Sequence, residues 1–181
     1  MFNIIILLCE GKNEKVLSKK FLENEGKKVE TFELESGDKK DQISKIRETR
    51  SKKCKDYLVK DEGGKSALQK VVLSLTNWVK RVDHKLKLFF DLDTGCIENF
   101  TDKLRDDYSR RRVEVDIRQE RLEETDKFIF ERLDIELEKG FLQIEVLATK
   151  KNLEQVKDEL GKSDEEFIYE NKDVLSKFFI V

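Results

Sequence analysis

Residues 2–11 read Phe2-Asn3-Ile4-Ile5-Ile6-Leu7-Leu8-Cys9-Glu10-Gly11, a strand-length apolar run that stops abruptly at an acid and a glycine. A run without polar alternation suits a central strand of a parallel sheet, because helices cover such a strand on both faces. Working outward, Val16, Leu17, Phe21 and Leu22 recur at helical spacing within residues 13–25, and Gly26 is a natural helix stop. Residues 29–34 (VETFEL) alternate and predict a strand. Residues 35–55 are mostly polar, with Ile43 and Ile46 as a weak helical pair.

The alternation continues. Residues 56–60 (DYLVK) predict a short strand, Gly63-Gly64 a turn, and residues 66–81 an amphipathic helix through Leu68, Val71, Val72, Leu75 and Val79. Residues 85–90 (KLKLFF) predict a second buried strand, closed by Asp91-Leu92-Asp93, and residues 97–108 a third helix. Strand and helix in turn imply a mostly parallel sheet with right-handed crossovers. Beyond residue 108 the pattern changes. Residues 113–117, 128–137 and 141–148 predict strands joined by short turns, and residues 152–160 and 164–179 predict two charged helices. The expectation is one α/β domain over residues 1–181: a Rossmann-like core over 1–108, and a C-terminal extension over 109–181 that is either a meander added to the sheet or a small lobe.

Charged residues make up 42% of the chain and hydrophobic ones 38%, but the apolar residues come in blocks, which argues for a folded core under a charged surface. The 37 basic and 39 acidic side chains nearly cancel, leaving a net charge of -2. No bulk positive field exists to draw in nucleic acid, so any polyanion must be met by a local patch or a bound cation. Cys9, Cys54 and Cys96 have no CxxC spacing, and His84 is the single histidine, which argues against zinc and for free thiols. The apolar start is too short for a signal segment and no stretch reaches about 18 apolar residues, so no membrane partner and a cytoplasmic location are expected.

Ligands of open parallel sheets bind beyond the carboxyl ends of the strands. Glu10 follows the first strand directly, and Asp91 and Asp93 close the strand over 85–90. Residues at i and i+2 of an extended chain point to one side, so the two aspartates would aim together if the strand geometry persists. Three converging carboxylates repel unless a proton or a cation neutralises them. Oxygen ligands without His or Cys favour Mg2+ or Mn2+. Gly11 and Gly95 allow close approach of a phosphate, and Lys12, Lys15 and Lys65 are candidate anion contacts.

A strand ending in Glu10-Gly11, followed about eighty positions later by a strand ending in Asp91-Leu92-Asp93, resembles the TOPRIM domain family of topoisomerases, primases, OLD-type nucleases and recombination mediators. The Gly63-Gly64-Lys65-Ser66 turn is similar to a Gly-Gly turn of small standalone TOPRIM-like proteins. The resemblance covers residues 1 to about 108. It implies that Glu10 is the acid–base or metal-organising carboxylate, that Asp91 and Asp93 hold Mg2+ (or Mn2+), and that the substrate is a nucleic-acid phosphodiester, DNA or RNA. The chain departs from the topoisomerase form at Thr94-Gly95-Cys96, where a longer acidic motif would stand.

Gly64-Lys65-Ser66 is not a P-loop, because Val59 occupies the position where that motif needs glycine. Arg110-Arg111-Arg112 is either a phosphate grip or a solvated basic run. Phe89-Phe90-Asp91-Leu92-Asp93 also resembles the first motif of HAD-type phosphatases, in which the first Asp is the nucleophile, although Thr94-Gly95 stands in the reverse of the family's order and Glu10 is left without a role. A non-catalytic binding module on the same fold is the alternative of a different class, with residues 113–181 as a protein-partner or homodimer surface. Trp78, Phe21, Phe89, Phe128, Phe178 and Phe179 are expected in the core.

Overall fold

The computed structural model describes residues 5–31, 56–75, 85–93, 95–138, 140–160 and 163–180. Seven strands form one sheet: β1 (Ile5–Cys9), β2 (Val29–Thr31), β3 (Tyr57–Asp61), β4 (Leu86–Asp91), β5 (Val115–Glu124), β6 (Phe128–Leu137) and β7 (Gly140–Thr149). Their order is β2-β3-β1-β4-β7-β6-β5. The pairs β2·β3, β3·β1, β1·β4 and β4·β7 are parallel, and only β7·β6 and β6·β5 are antiparallel. The C-terminal strands are therefore a meander added to the sheet, and β7 is its parallel seam to β4. The weak helical pair expected within residues 35–55, and Trp78, lie outside the described residues.

Apolar side chains on both faces explain why β1 reads as an unbroken run and β4 as a buried strand despite Lys87. Ile6 and Leu8 of β1 join Leu86, Leu88 and Phe90 of β4 in a core beneath α2 (Lys65–Leu75) and α3 (Ile97–Arg110). Leu7, Cys9 and Phe89 point the other way, into a core with α1 (Lys12–Asn24), α4 (Leu153–Leu160), α5 (Asp164–Glu170) and α6 (Lys172–Phe179). Phe21, Phe128, Phe178 and Phe179 belong to this second core, as expected.

Two boundaries differ from expectation. Strand β5 runs Val115–Glu124 instead of 113–117, because its far half is held by charge and not by apolar alternation. Arg118 lies 2.5 Å from Glu136 and Arg121 2.8 Å from Glu131, while Glu120 pairs with Arg132, all across the β5·β6 ladder. The helix expected over 164–179 is two helices. Asn171 (φ -106°, ψ 18°) donates its side-chain amide to the Phe167 carbonyl at 2.7 Å and competes with the helical ladder there.

Helix α6 is anchored at its end. The Tyr57 hydroxyl donates to the Phe179 carbonyl, and the buried ammonium of Lys87, in the middle of β4, donates to the Phe178 carbonyl and sits 2.8 Å from Glu145. These donors satisfy carbonyls that a helix C-terminus otherwise leaves open. Tyr57→Phe is expected to cost about 1 kcal/mol in urea unfolding, the net worth of one such bond.

Candidate functional site

The parallel strands end along one edge. Cys9 stands in register with Asp61 of β3 and Phe89 of β4, and Asp91 with Thr149 of β7. Helices α1, α2, α3 and α4 each begin just after one of these strand ends, so their N-termini gather at the same edge.

Glu10 is fixed from both sides of its backbone. Its N–H donates to the Phe89 carbonyl at 2.9 Å, and its carbonyl accepts from Gly64 N–H at 2.8 Å. Its side-chain Oε2 accepts from the backbone N–H of Asp91 at 3.1 Å. Glu10 and Asp91, far apart in sequence, are therefore joined directly. Asp91 is buried, with Oδ1 accepting from the Thr149 hydroxyl and Oδ2 from the Leu153 N–H at 3.2 Å, the first residue of α4. Asp93 leaves the strand in the left-handed region (φ 54°), so the extended geometry that would align it with Asp91 does not persist. Asp91 is buried and Asp93 exposed, and Asp93 is joined to Glu10, not to Asp91, through a cation. The Lys65 ammonium pairs with Asp93 Oδ2 and lies 3.9 Å from Glu10 Oε2.

The turn before Lys65 needs its glycines. Gly63 (φ 74°) and Gly64 (φ 125°) adopt conformations that L side chains rarely take, and this brings the first residue of α2 against Glu10. Gly11 and Gly95 serve differently. A Cβ on Gly11 would lie 3.2 Å from Glu14 Oε2, and one on Gly95 would lie 3.0 Å from the Asn99 side chain and 3.3 Å from the Leu92 carbonyl. Lys12 is exposed at the first position of α1. Arg110-Arg111-Arg112 does not join the site. The run precedes β5, whose start pairs with Leu137 at the amino edge of the sheet.

Glu14 is the residue that sequence reasoning missed. It is buried, only 4% exposed, on the inward face of α1 with Leu17, Ser18 and Phe21, and its Oε2 accepts from Gly11 N–H at 3.0 Å. Its one sequence signal was an acid three places after a helix-capping position. Burial, then the negative charge of Asp91, pushes its carboxyl up to about 7. Burial also raises Glu10, against the bond from Asp91 N–H and the charge of Lys65, and raises Asp91, against the bonds from Thr149 and Leu153.

A carboxyl raised on folding is best tolerated while protonated. Stability from Glu14 is then fully present below its unfolded value, near 4.5, and is lost as pH rises through about 7. Glu14→Gln keeps an oxygen for Gly11 and removes the charge. It is expected to raise stability by about 2 kcal/mol at pH 8 in EDTA and to change little at pH 4.5, read by urea unfolding at both.

The donor set around Glu10, Asp91 and Asp93 is oxygen only, which fits a hard cation. Among the described residues no three His, Cys, Asp or Glu side chains form a ready-made cage. Mg2+ does not require one, since it is commonly held by one or two carboxylates and several waters. A carboxylate also has about four lone-pair directions, so the two bonds on Asp91 orient it and leave acceptor capacity. The Lys65 ammonium shows that a cation is accommodated between Glu10 and Asp93.

No family model and no curated protein match the chain. Among solved structures it is similar to a de novo designed protein of P-loop NTPase fold, at 17% identity and a TM-score of 0.36 over 62% of this chain and 75% of that one. It is also similar to a second designed P-loop-type protein, at 13% identity and a TM-score of 0.36 over 59% and 76%. These likenesses bear on neither the site nor an activity. Among the described residues no helix is long and apolar enough to cross a membrane.

Proposed function

We propose that the chain is a TOPRIM-like, Mg2+-dependent domain acting on nucleic-acid phosphodiesters, as a nuclease. The observation that carries the reading is the direct bond from Asp91 N–H to the Glu10 carboxylate, with Asp93 brought to the same corner by Lys65. Glu10, Asp91 and Asp93 would hold the cation. When bound, Mg2+ would stabilise charge on the phosphate and acidify a water. Glu10, raised by burial, is suited to take up or deliver a proton. Asp91, tied to Thr149 and to the first turn of α4, fixes the corner's geometry. Lys65 and Lys12, at the starts of α2 and α1, would meet phosphate oxygens.

The test is cleavage of single- and double-stranded DNA and RNA by the purified protein with Mg2+, Mn2+ or EDTA. Metal-dependent cleavage of at least one substrate is expected, and EDTA should stop it. Binding without turnover would instead favour a non-catalytic module on the same fold. The engagement of both Asp91 oxygens favours that second reading over the phosphatase one. An attacking carboxylate needs a free, accessible oxygen, and Asp91 is 6% exposed. With a net charge of -2, tight binding to nucleic acid would need a protein partner or a second copy to add affinity.

A further inference from the structure

We infer that Lys65 is a tethered counter-ion of the carboxylate corner, which a divalent cation displaces so that the ammonium becomes available to a substrate phosphate. The inference rests on the divalent-cation reading above and goes beyond it, because it assigns Lys65 two positions and sets the order in which they are used.

The geometry is specific to this side chain. Lys65 is the first residue of α2, and its ammonium faces both Glu10 Oε2, at 3.9 Å, and Asp93 Oδ2. These are the outer carboxylates of the corner, since Asp91 is turned inward to Thr149 and Leu153. Two other ammonium groups near this edge have acids of their own: Lys15 pairs with Asp61, and Lys60 with Glu62. One positive charge thus spans two carboxylates, next to a third on Asp91. A divalent cation supplies twice the charge at the same carboxylates and competes with the ammonium for the same oxygens. The ammonium has a way out, because Lys65 and Asp93 are 31% and 56% exposed. Its stem is four flexible carbons. Among the described residues nothing lies within 4 Å of where a Cβ on Gly63 or Gly64, which lead into it, would stand.

Mn2+ titration of the full chain, followed by loss of the free-ion paramagnetic resonance signal, tests this. Lys65→Met removes the competing charge, and Lys65→Arg keeps it. Lys65→Met is expected to bind Mn2+ about tenfold tighter than wild type and Lys65→Arg to stay within about threefold, a difference of the size that removing one nearby charge produces. A second readout follows the Lys65 Nζ nitrogen resonance in wild type, which should shift when Mg2+ is added. Unchanged or weaker Mn2+ binding by Lys65→Met, or an unmoved Nζ signal while the metal binds, overturns the displacement and leaves the metal site standing. Absence of Mn2+ binding by wild type and by both variants overturns the metal site and this inference together.

Discussion

Replacing Asp91 and Asp93 together with asparagine is expected to lower Mg2+-dependent phosphodiester cleavage about a thousandfold or more, measured as initial rate under saturating metal. Asparagine keeps the shape of each side chain and removes its charge, so the corner loses the two negative groups that would hold the cation. The two positions contribute differently. Asp93 is exposed and pairs with Lys65, so Asp93→Asn alone removes charge with little expected effect on the fold. Asp91 is buried and accepts from a hydroxyl and a backbone N–H on two different elements. An amide there presents a donor to one of those donors, so Asp91→Asn also loosens the start of α4, by about 1–3 kcal/mol. Activity falling equally in both single variants, with stability falling only at Asp91, is the pattern expected of two ligands of which one also builds the corner.

Phe89→Ala is expected to cost about 3–5 kcal/mol in urea unfolding, the usual range for emptying a large aromatic from a packed core. Phe89 lies in the centre of β4, is fully buried and holds its face of the sheet together. Its ring centroid is 6.5 Å from Phe128, 6.5 Å from Phe178 and 6.2 Å from Phe179, so one side chain links β4 to β6 and α6. No neighbour can fill the space easily, because Phe178 and Phe179 are themselves pinned through the carbonyls that Lys87 and Tyr57 hold. A loss below about 1 kcal/mol would mean that α6 is not docked on this face.

What the sequence made legible follows from where apolar groups are obligatory. β1 and β4 are covered on both faces, so their residues other than Lys87 are apolar, and the acids at their ends stood out for that reason. Glu10, Asp91 and Asp93 were visible as candidates; the parallel register brings Glu10 and Asp91 together, and Asp93 reaches Glu10 only through Lys65. Lys65 was visible as a candidate anion contact, but not as a partner of the carboxylates. Its contact with Glu10 and Asp93 depends on the Gly63-Gly64 turn and on β3 lying beside β1, which local pattern does not encode. Glu14 stands between the polar residues Asn13 and Lys15 with nothing local to mark it as buried, since its burial depends on the helix turning that position toward the strand ends.

The same limits explain the misses elsewhere. The second half of β5 carries almost no apolar alternation, because cross-strand ion pairs with β6 do the holding. Lys87 sits inside an apolar run as if it were exposed, yet it is fully buried, because the end of α6 and Glu145 supply its partners from distant parts of the chain. The break at Asn171 depends on a side chain reaching back one turn, a choice that helical periodicity does not register.

The most direct test is a crystal soaked in Mn2+ and measured at the manganese edge. An anomalous peak within coordination distance of the Glu10 and Asp93 carboxylates, with Asp91 turned to the same ion or fixing its neighbours, is the predicted result. A fully soaked crystal with no peak at this corner, and with Lys65 still seated between Glu10 and Asp93, would contradict it.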